Sequence, residues 1–186
     1  MKRMFDVLVS FFFIGLCAIP MVCIAIIIKL TSKGPVLYWS DRVGKNNKIF
    51  RMPKFRTMYV DAPVVATHLL TSSKLFLTPV GGFLRKSSLD ELPQFLSIII
   101  GDMSLVGPRP ALFNQEDLIS LRTKYNVHKL LPGLTGWAQI NGRDELLISE
   151  KIKLDVEYVY KQSFVFDLVI LWRTFIKVLA CDSVSH

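Results

Sequence analysis

The sequence predicts one compact domain, α/β or mainly α with short strands, held at a membrane by its N-terminal end. Three observations carry this expectation: a nearly unbroken apolar run from Phe5 to Ile28, a cationic stretch from Lys29 to Tyr59 with turn-bracketed extended patterns, and an apolar segment from Phe164 to Ala180 whose polar residues recur at near-helical spacing. The one clear composition boundary, at Lys29, divides residues 1–28 from residues 29–186. With 186 residues and 51% hydrophobic content, the chain suffices for one compact unit and not for two large ones.

The first run has close to the roughly 20 residues needed to span a bilayer. A cleaved signal peptide fits poorly, because the apolar residues lead directly into Lys29 and a basic region. Pro20 removes a backbone donor near mid-segment and predicts a kink. Lys2 and Arg3 precede the run and Lys29, Lys33 and Arg42 follow it, so the positive-inside bias does not assign its ends to opposite sides. A bent helix that re-enters on the same side and a kinked crossing both meet these conditions. Asp6 is expected to be neutralised at the interface by Lys2 and Arg3, which precede it at helical spacing.

Lys and Arg number 23 against 15 acids, for a formal net charge of +8, which calls for anionic partners: phosphates, acidic lipid head groups or nucleic acid. Nucleic acid ranks last, since the cationic stretch adjoins a membrane segment and lacks a reader motif. Cys17, Cys23 and Cys181 have neither metal-ligand spacing nor a disulfide framework, which suits reduced thiols and a cytosolic active domain. His68, His128 and His186 lie apart from any acid or cysteine cluster, so no histidine chemistry is expected.

Turns at Gly34-Pro35 and Gly44 to Asn47 bracket Val36 to Trp39, and Ile49-Phe50 follows, which suggests short strands. Asp61 to Pro79 reads as helix or loop without a chemical signature. A short buried helix is expected from about Asp90 through Ile100, ended by Gly101. In the last segment Asp167, Arg173, Thr174 and Lys177 leave a narrow polar stripe. That suits a helix lying in the interface with Trp172 as anchor, or one packed on the domain. A second spanning helix would bury charges at about 2.5 kcal/mol or more each.

The segment Arg85-Lys86-Ser87-Ser88-Leu89-Asp90-Glu91 puts two cations and two carboxylates around a helix start. Ser88 and Glu91 have the spacing of a capping box, a purely structural reading. The chemical reading is that Arg85 and the helix N-terminus attract a phosphate while Asp90 supplies a nucleophilic oxygen. Adjacent helical residues point about 100° apart, so the two acids are expected to divide their roles, one attacking and the other helping to hold Mg²⁺ or the substrate. In Gly107-Pro108-Arg109-Pro110 two prolines limit how Arg109 is presented, which suits bidentate phosphate contact. Asn141-Gly142 could present Arg143 from a tight turn, and Lys54 and Arg56 are the members of the basic stretch most suited to a diphosphate.

Taken in order, these segments resemble the small monotopic phosphoglycosyl transferases, the bacterial sugar transferase family that initiates surface glycan assembly. The resemblance covers nearly the whole chain. It is carried by Lys2-Arg3 with Phe5-Asp6 and Ser10, Lys54 to Met58, Ser88 to Gln94, Gly101 to Pro110, and Gly136 to Arg143. It implies a monotopic protein of the bacterial inner membrane with a re-entrant helix over residues 1–28, a cytosolic catalytic domain over 29–186 and interfacial amphipathic helices. It further implies Asp90 as nucleophile, and Glu91 beside it supporting Mg²⁺ and the diphosphate. The implied substrates are a UDP-sugar and polyprenyl phosphate, with UMP released and a phosphosugar carried on Asp90. Arg85, Arg109 and Arg143, then Lys54 and Arg56, are the expected phosphate partners. Family members often carry Ser-Pro at the helix break, whereas Ile19 precedes Pro20 here. Larger relatives carry a further multi-helix membrane region for which 186 residues leave no room.

Overall fold

A computed structural model describes residues 1–63, 73–142 and 146–179. Residues Lys2–Thr31 form a single helix, α1, with Pro20 inside it. Phe11, Phe12, Leu16 and Ile19 stand exposed along its middle. Both of its ends are nevertheless fastened to the same body. At the start, Lys2 Nζ donates to Asp167 Oδ2 at 2.5 Å and to the Val106 carbonyl at 2.9 Å, and Arg3 donates to the Ile98 and Ile99 carbonyls at 2.5 and 2.9 Å. At the end, Ile24 and Ile28 pack with Phe55 and Leu84.

The expected pairing of Asp6 with Lys2 and Arg3 does not form. Asp6 is buried and accepts from Ser104 Oγ at 2.8 Å and the Leu105 N–H at 3.3 Å. Two fixed donors inside the protein satisfy a buried carboxylate, while the two cations find their own acceptors.

Strands β1 (Leu37–Val43) and β2 (Ile49–Phe55) form an antiparallel hairpin, longer than the apolar residues alone suggested because Arg42, Arg51 and Lys54 lie within it. Its turn holds Asn46 and Asn47 at φ near +57, a region asparagine tolerates better than most residues (φ 56 and 59). Strand β2 lies at an edge of its sheet, where Pro53 forfeits no ladder bond. Helix α2 (Gly81–Lys86), a 3-10 turn over Leu89–Glu91 and α3 (Gln94–Ile100) follow. Gly101, at φ 111, closes α3 as expected.

The capping box does not form either. Ser88 takes a left-handed conformation at φ 56, makes no side-chain cap bond, and α3 begins only at Gln94, after Pro93. Proline suits a helix start because its missing N–H would lack a partner there, and Glu91 is drawn elsewhere.

Strand β3 (Ser104–Val106) pairs in parallel with β5 (Gly133–Thr135), while β4 (Ala111–Leu112) joins the hairpin. The parallel pair, not anticipated from two turn-rich segments, brings backbone against backbone. A Cβ on Gly107, Gly133 or Gly136 would overlap main-chain atoms of the facing segment. Helices α4 (Glu116–Lys124), α5 (Trp137–Ile140), α6 (Ile148–Lys161) and α7 (Phe164–Leu179) complete the fold. Met52, Phe95, Ile98, Met103, Leu105, Val106, Ile140, Tyr158 and Ile170 make the main core.

The polar stripe of α7 turns toward the body. Asp167 meets Lys2 and the Tyr158 hydroxyl, Thr174 meets Thr135, and Arg173 lies over the Trp137 ring. Val165, Leu168, Val169, Trp172, Phe175 and Ile176 are left exposed. The stripe of this helix is therefore packed on the domain, as the second reading expected.

Candidate active site

Three elements converge on the adjacent acids. The turn Leu89–Glu91 carries Asp90 and Glu91, β2 carries Lys54, and the Gly107–Pro110 loop carries Arg109. Glu91 Oε1 accepts Lys54 Nζ at 2.8 Å and Arg109 Nη2 at 2.9 Å. Burial alone would raise the Glu91 pKa, but Arg109 and Lys54 outweigh it and hold this carboxyl well below the usual carboxylate range.

Asp90 differs. Its side chain is buried, with the residue 7% exposed, and it has no hydrogen bond or ion pair with a described residue. Burial pushes its carboxyl from 3.8 up to about 6, with Glu91 adding to the rise and Lys54, Arg85 and Arg109 opposing it. At neutral pH the group is therefore ionised, desolvated and without a bond to any described residue. Such a carboxylate keeps its lone pairs for an electrophile or a cation.

The sequence-expected residues do not all meet here. Lys54 and Arg109 contact Glu91, and Arg85 acts on Asp90 through its charge while its Nε is held by Thr57 Oγ1 at 2.9 Å. Arg56 does not join them. It is buried, and it donates to the carbonyls of Ser32 and Lys33 just past the end of α1, so it anchors the apolar helix. Lys54, two residues earlier, still lies within β2 and faces the acids, whereas the strand ends at Phe55 and Arg56 lies beyond it. Arg143 lies outside the described residues.

Further features escaped sequence reasoning. Thr57 orients Arg85, and nothing local marks it beyond its place after Lys54 and Arg56. Gln94, four residues past Asp90, is buried and its Nε2 has no partner among the described residues. Leu89 and Leu92 flank the acids and pack against Ile24 and Ile28 of α1, which puts the carboxylates beside the apolar helix. A cleft of about 30 Å³ opens behind the Arg109 loop, lined by Pro108, Pro110, Arg122 and His128. It borders neither acid and has room for little more than a water molecule.

These observations agree with comparisons against known proteins. The profile of the family described as "Bacterial sugar transferase" matches residues 1–181. UDP-glucose:undecaprenyl-phosphate glucose-1-phosphate transferase of Escherichia coli (strain K12) is 40% identical over 184 residues, covering 95% of this chain and 40% of the relative. The uncharacterized sugar transferase EpsL of Bacillus subtilis (strain 168) is 38% identical over 188 residues, covering 100% of this chain and 91% of the relative. UDP-N-acetylgalactosamine-undecaprenyl-phosphate N-acetylgalactosaminephosphotransferase of Aeromonas hydrophila is 34% identical over 183 residues, covering 96% of this chain and 43% of the relative. The chain thus spans about two fifths of the first and third relatives and most of the second. With a long apolar helix seated beside two acids, and a family profile that runs from its first residue to residue 181, the chain belongs to the bacterial sugar transferase family.

Proposed function

We propose that the chain transfers a sugar-1-phosphate from a UDP-sugar to polyprenyl phosphate, releasing UMP, with Asp90 as nucleophile. The observation that carries the reading is the asymmetry of the two acids. Glu91 is neutralised by Lys54 and Arg109, whereas Asp90 is buried without a described partner. The printed names of the Escherichia coli and Aeromonas hydrophila relatives supply the substrate class.

In the first step an Asp90 oxygen attacks the β-phosphorus of the UDP-sugar. The bond from that phosphorus to the bridging oxygen breaks, and the electron pair leaves on the α-phosphate of UMP. An acyl phosphate carrying the sugar remains on Asp90. In the second step an oxygen of polyprenyl phosphate attacks the same phosphorus, the bond to Asp90 breaks, and the carboxylate is restored. Arg109, Lys54 and Arg85 offset the charge gathering on the phosphates. Arg143 remains a candidate for the same task. Gln94 offers a buried amide donor in the same turn-helix unit.

Mg²⁺ fits the donors present. Among the described residues no group of three or more acids, histidines or cysteines forms a cage, and Mg²⁺ commonly takes one or two carboxylates with phosphate oxygens and water. Asp90 and Glu91 would hold it, and when bound it would offset charge on the leaving phosphate.

We further infer that α1 re-enters the membrane and that the domain lies on the cytosolic face of the bacterial inner membrane. The support is that both ends of α1 are bonded to one body while its middle stays apolar and exposed. A helix crossing a core of about 30 Å would separate those ends. The outward apolar face of α7 suits a helix resting in the interface.

The test is a UMP release assay over a panel of UDP-sugars, with and without polyprenyl phosphate, on wild type and Asp90→Asn. Release without acceptor, together with a sugar-phosphate adduct at Asp90 by mass spectrometry, supports the two-step course. A membrane scaffold would release no UMP and lose nothing on substitution. Turnover that requires both substrates bound, with no adduct, refutes the covalent intermediate.

A further inference from the structure

Arg109 reaches Glu91 from a loop whose carbonyls are bonded one after another. The Pro108 carbonyl accepts the Gly133 N–H at 2.9 Å, that of Arg109 accepts Arg122 Nη1 at 2.7 Å, and that of Pro110 accepts Arg42 Nη1 at 3.1 Å. A solvated turn would leave these acceptors to water. Here each meets a donor from a different part of the fold.

The donor to the Arg109 carbonyl is itself held. Arg122 lies on α4, and its Nε and Nη2 donate to Asp155 Oδ2 on α6 at 2.9 and 2.7 Å. The side chains are 11% and 2% exposed. All three guanidinium nitrogens are thus engaged: two on a buried carboxylate, one on the main chain of a residue whose side chain enters the site. Withdrawing both charges from water is costly, and well-packed apolar residues join two helices as well or better. Holding α4 to α6 therefore leaves the choice of Arg and Asp unexplained, whereas the third bond accounts for it. A planar fork holds its donors in the fixed directions these three bonds need, and a lysine ammonium cannot copy that geometry.

We propose that Arg122 and Asp155 are positioning residues for Arg109, their ion pair aiming one N–H at the Arg109 carbonyl and so fixing the guanidinium that meets Glu91. Neither touches the reacting atoms. The inference rests on the transferase reading only for its effect on rate, since the diphosphate is what Arg109 would serve. A displaced Arg109 still attracts the substrate but meets the transition state badly, so kcat falls more than KM rises.

The test uses the full chain in detergent or nanodiscs and compares wild type, Arg122→Lys, Asp155→Asn, Arg109→Met and the Arg109→Met/Arg122→Lys double variant. Arg122→Lys is expected to lower kcat for UMP release by about 10- to 100-fold, the scale of a misplaced site group, with KM for the UDP-sugar nearly unchanged. In the Arg109→Met background it should have almost no further effect, because the group it acts through is gone. An equal loss in both backgrounds overturns the proposal and leaves a purely structural pair. Should Arg122→Lys fail to fold, Asp155→Asn is carried through the same cycle.

A second readout needs no turnover. Phenylglyoxal modification of Arg109, followed by peptide mass spectrometry, should run several-fold faster in Arg122→Lys than in wild type. An unchanged rate overturns the positioning role whether or not the chain releases UMP. A faster rate in a chain that releases no UMP upholds the positioning and counts against the transferase reading alone.

Discussion

Replacing Asp90 by Asn should abolish turnover and, at neutral pH, make the protein more stable. Burial holds the Asp90 carboxyl at about 6 instead of 3.8. At about 1.4 kcal/mol for each tenfold change in proton affinity, the ionised side chain destabilises the native state by about 3 kcal/mol at pH 7. The folded chain binds more protons at this site than the unfolded chain between pH 4 and 6, so the penalty grows as pH rises through that window and is complete above it. The amide carries no charge and escapes the penalty. Unfolding of both proteins in one detergent, followed by tryptophan fluorescence at pH 4, 5, 6, 7 and 8, isolates the difference. The variant should gain about 3 kcal/mol at pH 7 and 8, which for a chain of this size raises the Tm by about 6–12 °C. The gain should shrink below pH 6 and vanish near pH 4. UMP release should fall by about 10³-fold or more, as when a covalent nucleophile is removed. A variant less stable than wild type at pH 7, or a gain independent of pH, would refute the claim that Asp90 is held ionised against its burial.

The same carboxyl must be ionised to attack, so kcat/KM should decline as pH falls through about 6. Because Glu91 raises the Asp90 pKa and Lys54 lowers it, Glu91→Gln should move that acid limb to lower pH and Lys54→Met to higher pH; a limb that stays in place in both pH-rate profiles rules out Asp90 as its source. Lys2→Met strands the buried Asp167 carboxylate without its cation and should destabilise the protein by about 3 kcal/mol, read as a lower Tm in detergent. Single cysteines at Met1 and Lys33, in a chain whose native cysteines are replaced by serine, should react with an impermeant maleimide from the same side of sealed vesicles, whereas labelling from opposite sides would sink the re-entrant topology.

Much of this was legible in the sequence, and the misses share a cause. The apolar run, the proline-framed Arg109 and the adjacent acids are local patterns, and they lie together at the site. What a charge pairs with is not local. Ser88 and Glu91 have the spacing of a capping box, yet Glu91 meets Lys54 and Arg109, 37 and 18 residues away. Two cations at once outweigh one neutral backbone donor. Lys54 and Arg56 looked alike as phosphate ligands, but one faces the acids and the other the carbonyls at the end of α1. Lys2 spans 165 residues to reach Asp167, a distance no window along the chain detects. The parallel pairing of β3 with β5 was hidden because three-residue strands in glycine- and proline-rich segments read as turns.

The close approach of Gly107 to Gly133 and Gly136 has a consequence for catalysis. With main chain pressed on main chain, the two segments form one solid block, which backs the loop that carries Arg109. Little reorganisation is then left to perform as charge develops on the phosphates, which is the condition under which fixed dipoles and cations stabilise a transition state most. Even an alanine at any of the three glycines should therefore act at a distance, slowing turnover by prying the block apart without touching either acid.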